Sequence, residues 1–365
     1  MRHLLFRGWF KVLAMIKLRF RCPDVPFVPA LLRRVDVTLA LMVVLVVSAL
    51  VAHHGGESLW SDAPTPEMSE MQALPEGETV EEKSTAPIPE AGEPVRFLMQ
   101  NVQNYFVEGE ESRSRYTIRP KSVRSRESVA EVIASARPEV VGLVEIGGPL
   151  ARKDLAERLS ARGLRFPYSR VLVRQGEDRA LAVLSMHPLV EDHSQANYGL
   201  FGQQNRKMLR GILDVTVQVK DGRRFRIIGA HLKSRVGDNP AAAASLRARE
   251  ARTLAMYIQR VVRRQPKMPL LVYGDWNDGP SDASLGVLTQ GLSRDAALTR
   301  LDPEDSRGDK WTLYYKAGRE YCTFDQIFVN STLRRRRGRR SESGIVDIPA
   351  ARTASDHRAV WCELR

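Results

Sequence analysis

Pro269-Leu270-Leu271-Val272-Tyr273 runs directly into Gly274-Asp275-Trp276-Asn277-Asp278. A short apolar run that stops at glycine and carboxylates reads as a buried strand whose C-terminal end delivers polar side chains to a site. A second polar cluster, Ser355-Asp356-His357, precedes the apolar Ala359-Val360-Trp361 near the C-terminus. A carboxylate beside a histidine at a strand edge suits a metal ligand next to a general acid. Each cluster taken alone also fits an ordinary turn or helix cap.

Four further strand-like runs carry a polar residue at one end. Residues 95–100 lead into Asn101, 140–144 into Glu145 and 226–230 into His231, while 321–324 reach Asp325 ahead of Gln326-Ile327-Phe328-Val329. Six such endings in one chain predict several strands bringing their ends to one rim.

The ordered set resembles the endonuclease/exonuclease/phosphatase superfamily, the divalent-metal phosphoesterases related to pancreatic deoxyribonuclease, exonuclease III and neutral sphingomyelinase. The resemblance spans residues 95–365 and follows the order Asn, Glu, His-Leu-x-Ser, Gly-Asp-x-Asn, Asp-x-Ile, Ser-Asp-His. Here these are Asn101, Glu145, His231-Leu232-Lys233-Ser234, Asp275 with Asn277, Asp325-Gln326-Ile327, and Asp356 with His357. It implies a deoxyribonuclease-I-like α/β fold, two packed mixed β-sheets flanked by helices in a four-layer sandwich. Two positions depart from many relatives: Val144 stands where they have Gln, and Trp276 where they have Phe. Neither is catalytic in the family. Residues 191–208 match none of its motifs.

Phosphodiester hydrolysis at neutral pH needs an activated water, neutralised phosphoryl oxygens and a stabilised leaving oxygen. Carboxylate and amide oxygens suit Mg2+ or Mn2+, with Ca2+ a further candidate, and the chain has no cysteine-rich zinc cage. Glu145 is the leading metal ligand, with Asp356 and Asn101 beside it. Asp275 is the candidate base or water-orienter, and Asn277 would donate its amide to a phosphate oxygen. His231 and His357 would hydrogen-bond or protonate phosphate, each oriented by a carboxylate. Asp325 is the expected partner of His357; for His231 the candidates are Glu177 and Asp178. Asn101, Arg179 and Arg210 are expected to touch substrate.

Composition divides the rest of the chain. Residues 1–54 form a basic leader with an uncharged apolar run at 37–52, short for a membrane helix, which needs about 20 residues. Either a cleaved signal, with a small-residue site at Val47-Ser48-Ala49, or a retained anchor follows from this pattern. Both place the catalytic domain outside the cytoplasm, in the cell envelope or secreted. Residues 55–94 are rich in Pro, Glu, Ser and Thr and hold ten acidic residues against Lys83 alone, the composition of a flexible tether.

Residues 95–365 keep 47 of the 56 basic side chains and 31 of the 43 acidic ones, so the catalytic domain is more basic than the chain as a whole. Such an excess attracts polyanions. One basic cluster runs from Arg113 through Arg115, Arg119, Lys121 and Arg124 to Arg126; others are Arg206, Lys207 and Arg210, and the run 334–340, which could equally meet anionic lipid. Lys220-Asp221-Gly222-Arg223 predicts a hairpin turn, and Leu254, Ile258, Val261 and Val262 lie on the apolar stripe of a helix over about 239–264 with arginines opposite. Cys322 and Cys362 are placed too far apart by the implied fold to bridge.

The expected function is an exported Mg2+- or Mn2+-dependent nuclease, an endonuclease, with nucleic acid as substrate and no protein partner implied. The alternatives are a phospholipid or phosphorylated-small-molecule hydrolase on the same scaffold, since fold does not fix substrate, and a catalytically silent binding module.

Overall fold

The computed structural model describes residues 92–365 except 116, 238, 292, 294, 295, 317 and 338–341. The leader, all but the end of the tether, and the last part of the arginine run lie outside the described residues.

The described residues open with β1 (Val95–Tyr105), cross through α1 (Val123–Ser135) to β2 (Val140–Ile146), and pass α2 (Pro149–Ser160) to the hairpin β3 (Tyr168–Arg174) and β4 (Glu177–Ser185). Short strands β5 (Leu189–Asp192), β6 (Gly199–Leu200) and β7 (Gln203–Lys207) follow, then β8 (Leu213–Gln218) and β9 (Arg224–His231). Helix α3 (Pro240–Arg264) leads to β10 (Leu270–Asp275), then α4 (Ala283–Gln290) and β11 (Thr299–Arg300). The hairpin β12 (Leu313–Tyr315) and β13 (Glu320–Cys322) precedes β14 (Asp325–Val329), α5 (Ser331–Arg337), β15 (Ser343–Ile345), α6 (Ala351–Ala354) and β16 (Val360–Leu364).

Two mixed sheets of six strands result, ordered β15-β16-β1-β2-β4-β3 and β11-β14-β10-β9-β8-β5. Each is built around a parallel pair joined by a crossover that includes a helix: β1 with β2, and β9 with β10. Those central strands are covered on both faces, so β2 and β10 read as nearly unbroken apolar runs. Val140, Leu181, Val215, Ile227, Leu271 and Ile327 belong to the core cluster formed by residues of both sheets, while α1 and α2 pack on the outer face of the first sheet and α3 on that of the second. The expected arrangement of two sheets between helices is therefore present. Full burial of each Leu, Ile, Val or Phe side chain stabilises it by about 1.5–3 kcal/mol.

Tyr273 of β10 ties the sheets together. Its ring is fully buried, its hydroxyl donates to the Ala182 carbonyl of β4 at 3.0 Å, and it contacts Phe97 of β1 at 5.3 Å. Glycines make room for it: a Cβ on Gly142 or on Gly229 would come within 2.6 Å of the Tyr273 ring. Gly274 serves a different approach, since a Cβ there would lie 2.3 Å from the Ala230 carbonyl oxygen of the neighbouring strand.

Helix α3 begins one residue later than the stripe suggested, because Asn239 is its cap: its Oδ1 accepts the Ala242 N–H at 2.9 Å and Pro240 occupies the first turn. Its polar face is not wholly solvated, for Arg247 and Glu250 are buried. The unplaced stretch 191–208 ends β5 and then contains the small β6–β7 ribbon, with Leu200 and Met208 packed in the α3 core. Asp325 begins a strand of its own rather than ending the run 321–324, because β13 stops at Cys322. Cys322 and Cys362 are both buried and unbridged. Among the described residues no helix is long and apolar enough to cross a membrane.

Candidate active site

Sheet register assembles the site. In the second sheet Asp275 is level with His231 on one side and with Asp325 on the other, so three strands present their polar residues in one row. The chain then turns sharply after Asp275. The Asp275 carboxylate accepts the Asn277 N–H at 2.9 Å, Asn277 adopts a left-handed φ of 53°, and its Nδ2 donates to the Leu232 carbonyl at 3.1 Å. Trp276 locks this turn from beneath, buried against Phe328 with its Nε1 donating to the Gln326 carbonyl at 3.1 Å.

The first sheet contributes through irregular strand ends. β1 and β2 both slip register at the rim, with left-handed φ at Gln103 (47°), Asn104 (52°) and Glu145 (64°). Non-glycine residues in that region are strained and persist where surrounding bonds hold them. Here the Asn101 Oδ1 accepts the Gln103 N–H at 2.9 Å, and the Glu145 carboxylate accepts the Asn104 N–H at 3.1 Å. The bulges thereby turn Glu145 toward the site. Asn101 reaches across and donates from Nδ2 to Asp275 Oδ2 at 2.9 Å.

His357 arrives from the segment before β16. Its main chain is fixed by the Ser355 hydroxyl, which accepts the His357 N–H at 3.0 Å and donates to the Asn101 carbonyl at 2.8 Å. Its Nδ1 lies 2.7 Å from Asp325 Oδ2, the expected pairing, and its Nε2 lies 3.9 Å from Asp275 Oδ2. Burial alone would favour the neutral ring, but the charges of Asp325 and Asp275 and the hydrogen bond to Asp325 outweigh it and push the pKa up to about 10. Burial raises Asp275 toward neutrality, partly offset by His357 and reinforced by the Asp325 charge.

His231 behaves oppositely. Burial, followed by the nearby charges of Arg210, Arg179 and His357, holds its pKa well below that of a free imidazole. Neither of its expected carboxylate partners is the one it meets. Glu177 pairs with Arg210 at 2.7 Å, and Asp178 accepts the Arg113 N–H at 2.6 Å. His231 Nε2 instead faces Asp275 Oδ2 at 3.6 Å and Glu145 Oε1 at 3.8 Å, and its Nδ1 is buried without a hydrogen-bond partner.

Arg179 stands 3.6 Å from Glu145 and is 39% exposed, at the mouth of the site. Arg210 is buried and bound to Glu177, so it acts on the site through its field rather than from an open surface. Arg113 and Arg126, read as members of a basic face, are also turned inward. Arg113 donates to the carbonyls of Glu177, Gly147 and Asp178, and Arg126 pairs with Asp154 and Glu108. Arg119 and Arg124 remain exposed.

Lys121 belongs at the site, although the sequence showed it only as part of a basic cluster. Its ammonium donates to the Gln103 carbonyl at 3.2 Å; burial lowers its pKa, and the carboxylates of Asp356 and Glu145 pull it back up. The signal was its place in the loop returning from β1, readable only once the bulge was known.

Among the described residues one cluster of donor atoms has metal-site spacing, and further oxygen donors lie beside it. Asp275, Asp325 and His357 offer donor atoms within 4.8 Å of one another, all buried. In that group His357 Nδ1 is committed to Asp325, an arrangement suited to proton handling. Glu145 and Asp356 are carboxylates open to the mouth, with side chains 16% and 38% exposed, and Asn101 adds an amide oxygen. An all-oxygen set of this kind fits a hard divalent cation.

No curated protein matches the chain. Among solved structures, the endonuclease/exonuclease/phosphatase from Bacteroides vulgatus is similar with a TM-score of 0.54 at 14% identity, covering 75% of this chain and 99% of that one. The human nocturnin catalytic domain with bound sulfate anion gives a TM-score of 0.51 at 18% identity, covering 74% and 94%. A beta toxin mutant from Staphylococcus aureus with bound magnesium ions gives 0.51 at 14% identity, covering 75% and 100%. These likenesses are of fold. The model of the Endonuclease/Exonuclease/phosphatase family matches residues 101–357, from Asn101 within β1 to the histidine of the last motif, and the chain belongs to that family.

Proposed function

We propose that residues 95–365 form a divalent-metal-dependent nuclease, an endonuclease that hydrolyses DNA or RNA by in-line attack of water on a phosphodiester. The observation that carries this reading is the buried His231–Asp275–Asp325 row, with His357 bound to Asp325, facing the open carboxylates Glu145 and Asp356. The 47 basic against 31 acidic residues supply the attraction for a polyanion.

Glu145, Asp356 and the Asn101 amide oxygen are the residues that would hold Mg2+ or Mn2+, with Ca2+ fitting the same oxygen chemistry. When bound, such an ion neutralises phosphoryl charge and polarises the scissile group. A magnesium-bearing structural relative supports that choice of ion.

Asp275 is the group that takes the proton of the attacking water, its basicity raised by burial. Asn101 fixes Asp275 by the bond to Oδ2. The Asn277 amide spends one N–H on the Leu232 carbonyl and directs the other to a phosphoryl oxygen as charge builds. His357, held cationic by Asp325, donates from Nε2 to the phosphoryl group, while neutral His231 contributes a hydrogen bond without adding charge. Arg179 contacts phosphate at the mouth of the site, and buried Arg210 reinforces the positive potential behind it.

Export is part of the same proposal and rests on the apolar run 37–52. Assay of the purified protein with Mg2+ or Mn2+ on plasmid DNA, RNA, sphingomyelin and phosphorylated inositols, each with a chelator control, tests the substrate. Nicked or fragmented nucleic acid is the expected product. Turnover confined to lipid or inositol phosphates replaces the nuclease reading with its rival.

A further inference from the structure

Trp311, Tyr321 and Tyr314 form a ladder on and beside the β12–β13 hairpin. Ring centroids are 4.9 Å apart for Trp311 and Tyr321 and 5.0 Å for Tyr314 and Tyr321, with interplanar angles of 51° and 46°. The Arg358 guanidinium caps the inner end, 4.3 Å from the Trp311 centroid, and is anchored by Asp305 at 2.7 Å. The outer end is open: Tyr321 is 66% exposed and Tyr314 38%. The hairpin does not need these two rings for its own packing, because its small core is made by Leu313, Cys322 and Phe324 with Tyr315 against them.

The ladder is tied to the reaction site. The Thr312 hydroxyl oxygen accepts the backbone N–H of Asp325 at 3.0 Å and of Phe324 at 3.1 Å, and the Thr312 carbonyl accepts the Arg358 N–H at 2.7 Å. Leu313 bridges to His357 itself. Trp311 and Tyr314 therefore lie within two residues of Thr312, which holds the main-chain N–H groups of Asp325 and of Arg358, the residue after His357. Exposed Lys316 and Arg319 occupy the hairpin turn beside them.

We infer that this ladder is a stacking platform for an unpaired nucleobase next to the scissile phosphate, a reading that rests on the proposed nuclease activity. Every base offers a π-face, so ring faces open at Tyr321 and Tyr314 accept one without regard to sequence. The three rings touch one another at tilted angles and the innermost is capped by a guanidinium, so they form one contiguous aromatic surface against which a base can lie, and the basic turn suits the adjoining phosphates. A lipid surface is the competing occupant.

The test uses the full chain with chelator present to stop turnover, and two labelled strands of equal length: oligothymidylate and its abasic deoxyribose-phosphate counterpart. The unaltered protein is expected to prefer the thymidine strand. Tyr314→Ala and Tyr321→Ala should each weaken that strand about tenfold while leaving the abasic strand unchanged, and Tyr321→Phe should retain binding; unaltered thermal midpoints establish that the variants fold. Equal binding of both strands by the unaltered protein, or equal losses on both strands in the variants, overturns the platform. Loss of binding to phosphatidylcholine–sphingomyelin vesicles in Tyr314→Ala, with oligothymidylate binding intact, assigns the rings to lipid and also overturns it. Cleavage with Mg2+ is read separately: cleavage without base preference leaves the nuclease reading standing, and base preference without cleavage keeps the platform and removes that reading.

Discussion

Asn101 Nδ2 donates to Asp275 Oδ2 at 2.9 Å, joining the rim of one sheet to the rim of the other across 174 residues of sequence. Asp275 is thus oriented by a residue of the opposite sheet while His357 approaches the same oxygen at 3.9 Å. Groups meeting at one phosphate act as a unit, and their losses do not add. Asp275→Asn and His357→Ala are each expected to lower kcat by about a hundredfold or more, with the double variant falling little further. A double variant whose rate loss equals the product of the two single losses would separate them.

Glu145→Gln keeps the shape of the side chain and removes its charge. Turnover should collapse at limiting metal, with the unfolding midpoint close to that of the unaltered protein. Near-normal activity in that titration would take Glu145 out of the site.

The arginines of the first cluster should divide into two classes. Arg113→Ala leaves the carbonyls of Gly147, Glu177 and Asp178 without their donor and is expected to lower stability by about 1–3 kcal/mol. Arg119→Glu with Arg124→Glu should leave denaturation unchanged, weaken nucleic-acid binding and flatten its dependence on salt. Denaturant curves and binding isotherms at several salt concentrations distinguish the classes.

Gly274→Ala should destabilise by about 3 kcal/mol, because its Cβ would meet a strand carbonyl at 2.3 Å that cannot yield. Gly279→Ala is the control. Its Cβ would find the Asp282 carboxylate at 3.6 Å, an ordinary contact, and the unfolding midpoint should hardly move.

Asp305 gives stability a pH dependence. Burial works against its ionised form, but the hydrogen bond from Arg358 and the N–H groups of Arg307 and Asp309 hold its pKa well below the usual carboxylate range. The unfolded chain therefore binds the proton more readily, so this contribution is complete above the ordinary Asp pKa of about 3.9 and is lost as pH falls toward the folded value. Asp305→Asn should be less stable than the unaltered protein at pH 7, and the gap should narrow at about pH 3. A gap that widens in acid would reverse the assignment.

What the sequence made legible was local. The run ending at Asp275, the helix over Pro240–Arg264 and the turn at Lys220-Asp221-Gly222-Arg223 each carry their periodicity or turn chemistry within a short window. The Asp325–His357 pair was legible through the resemblance, and the structure brings the two together at 2.7 Å. The rest depended on distant strands. Arg113 turns inward because β4 offers it carbonyls, Lys121 enters the site because β1 bulges, and Glu177 is taken from His231 by Arg210. No spacing rule within the chain encodes those meetings.

Tyr273 sets a length standard. Asn101, Glu145 and His357 hang from one sheet and His231, Asp275 and Asp325 from the other, so the gap between the two halves of the chemistry is inherited from the span of a phenol wedged between Gly142 and Gly229. A core residue buried between the sheets thereby spaces the proposed site, and shortening it is expected to lower turnover from within while leaving every polar group of the site in place.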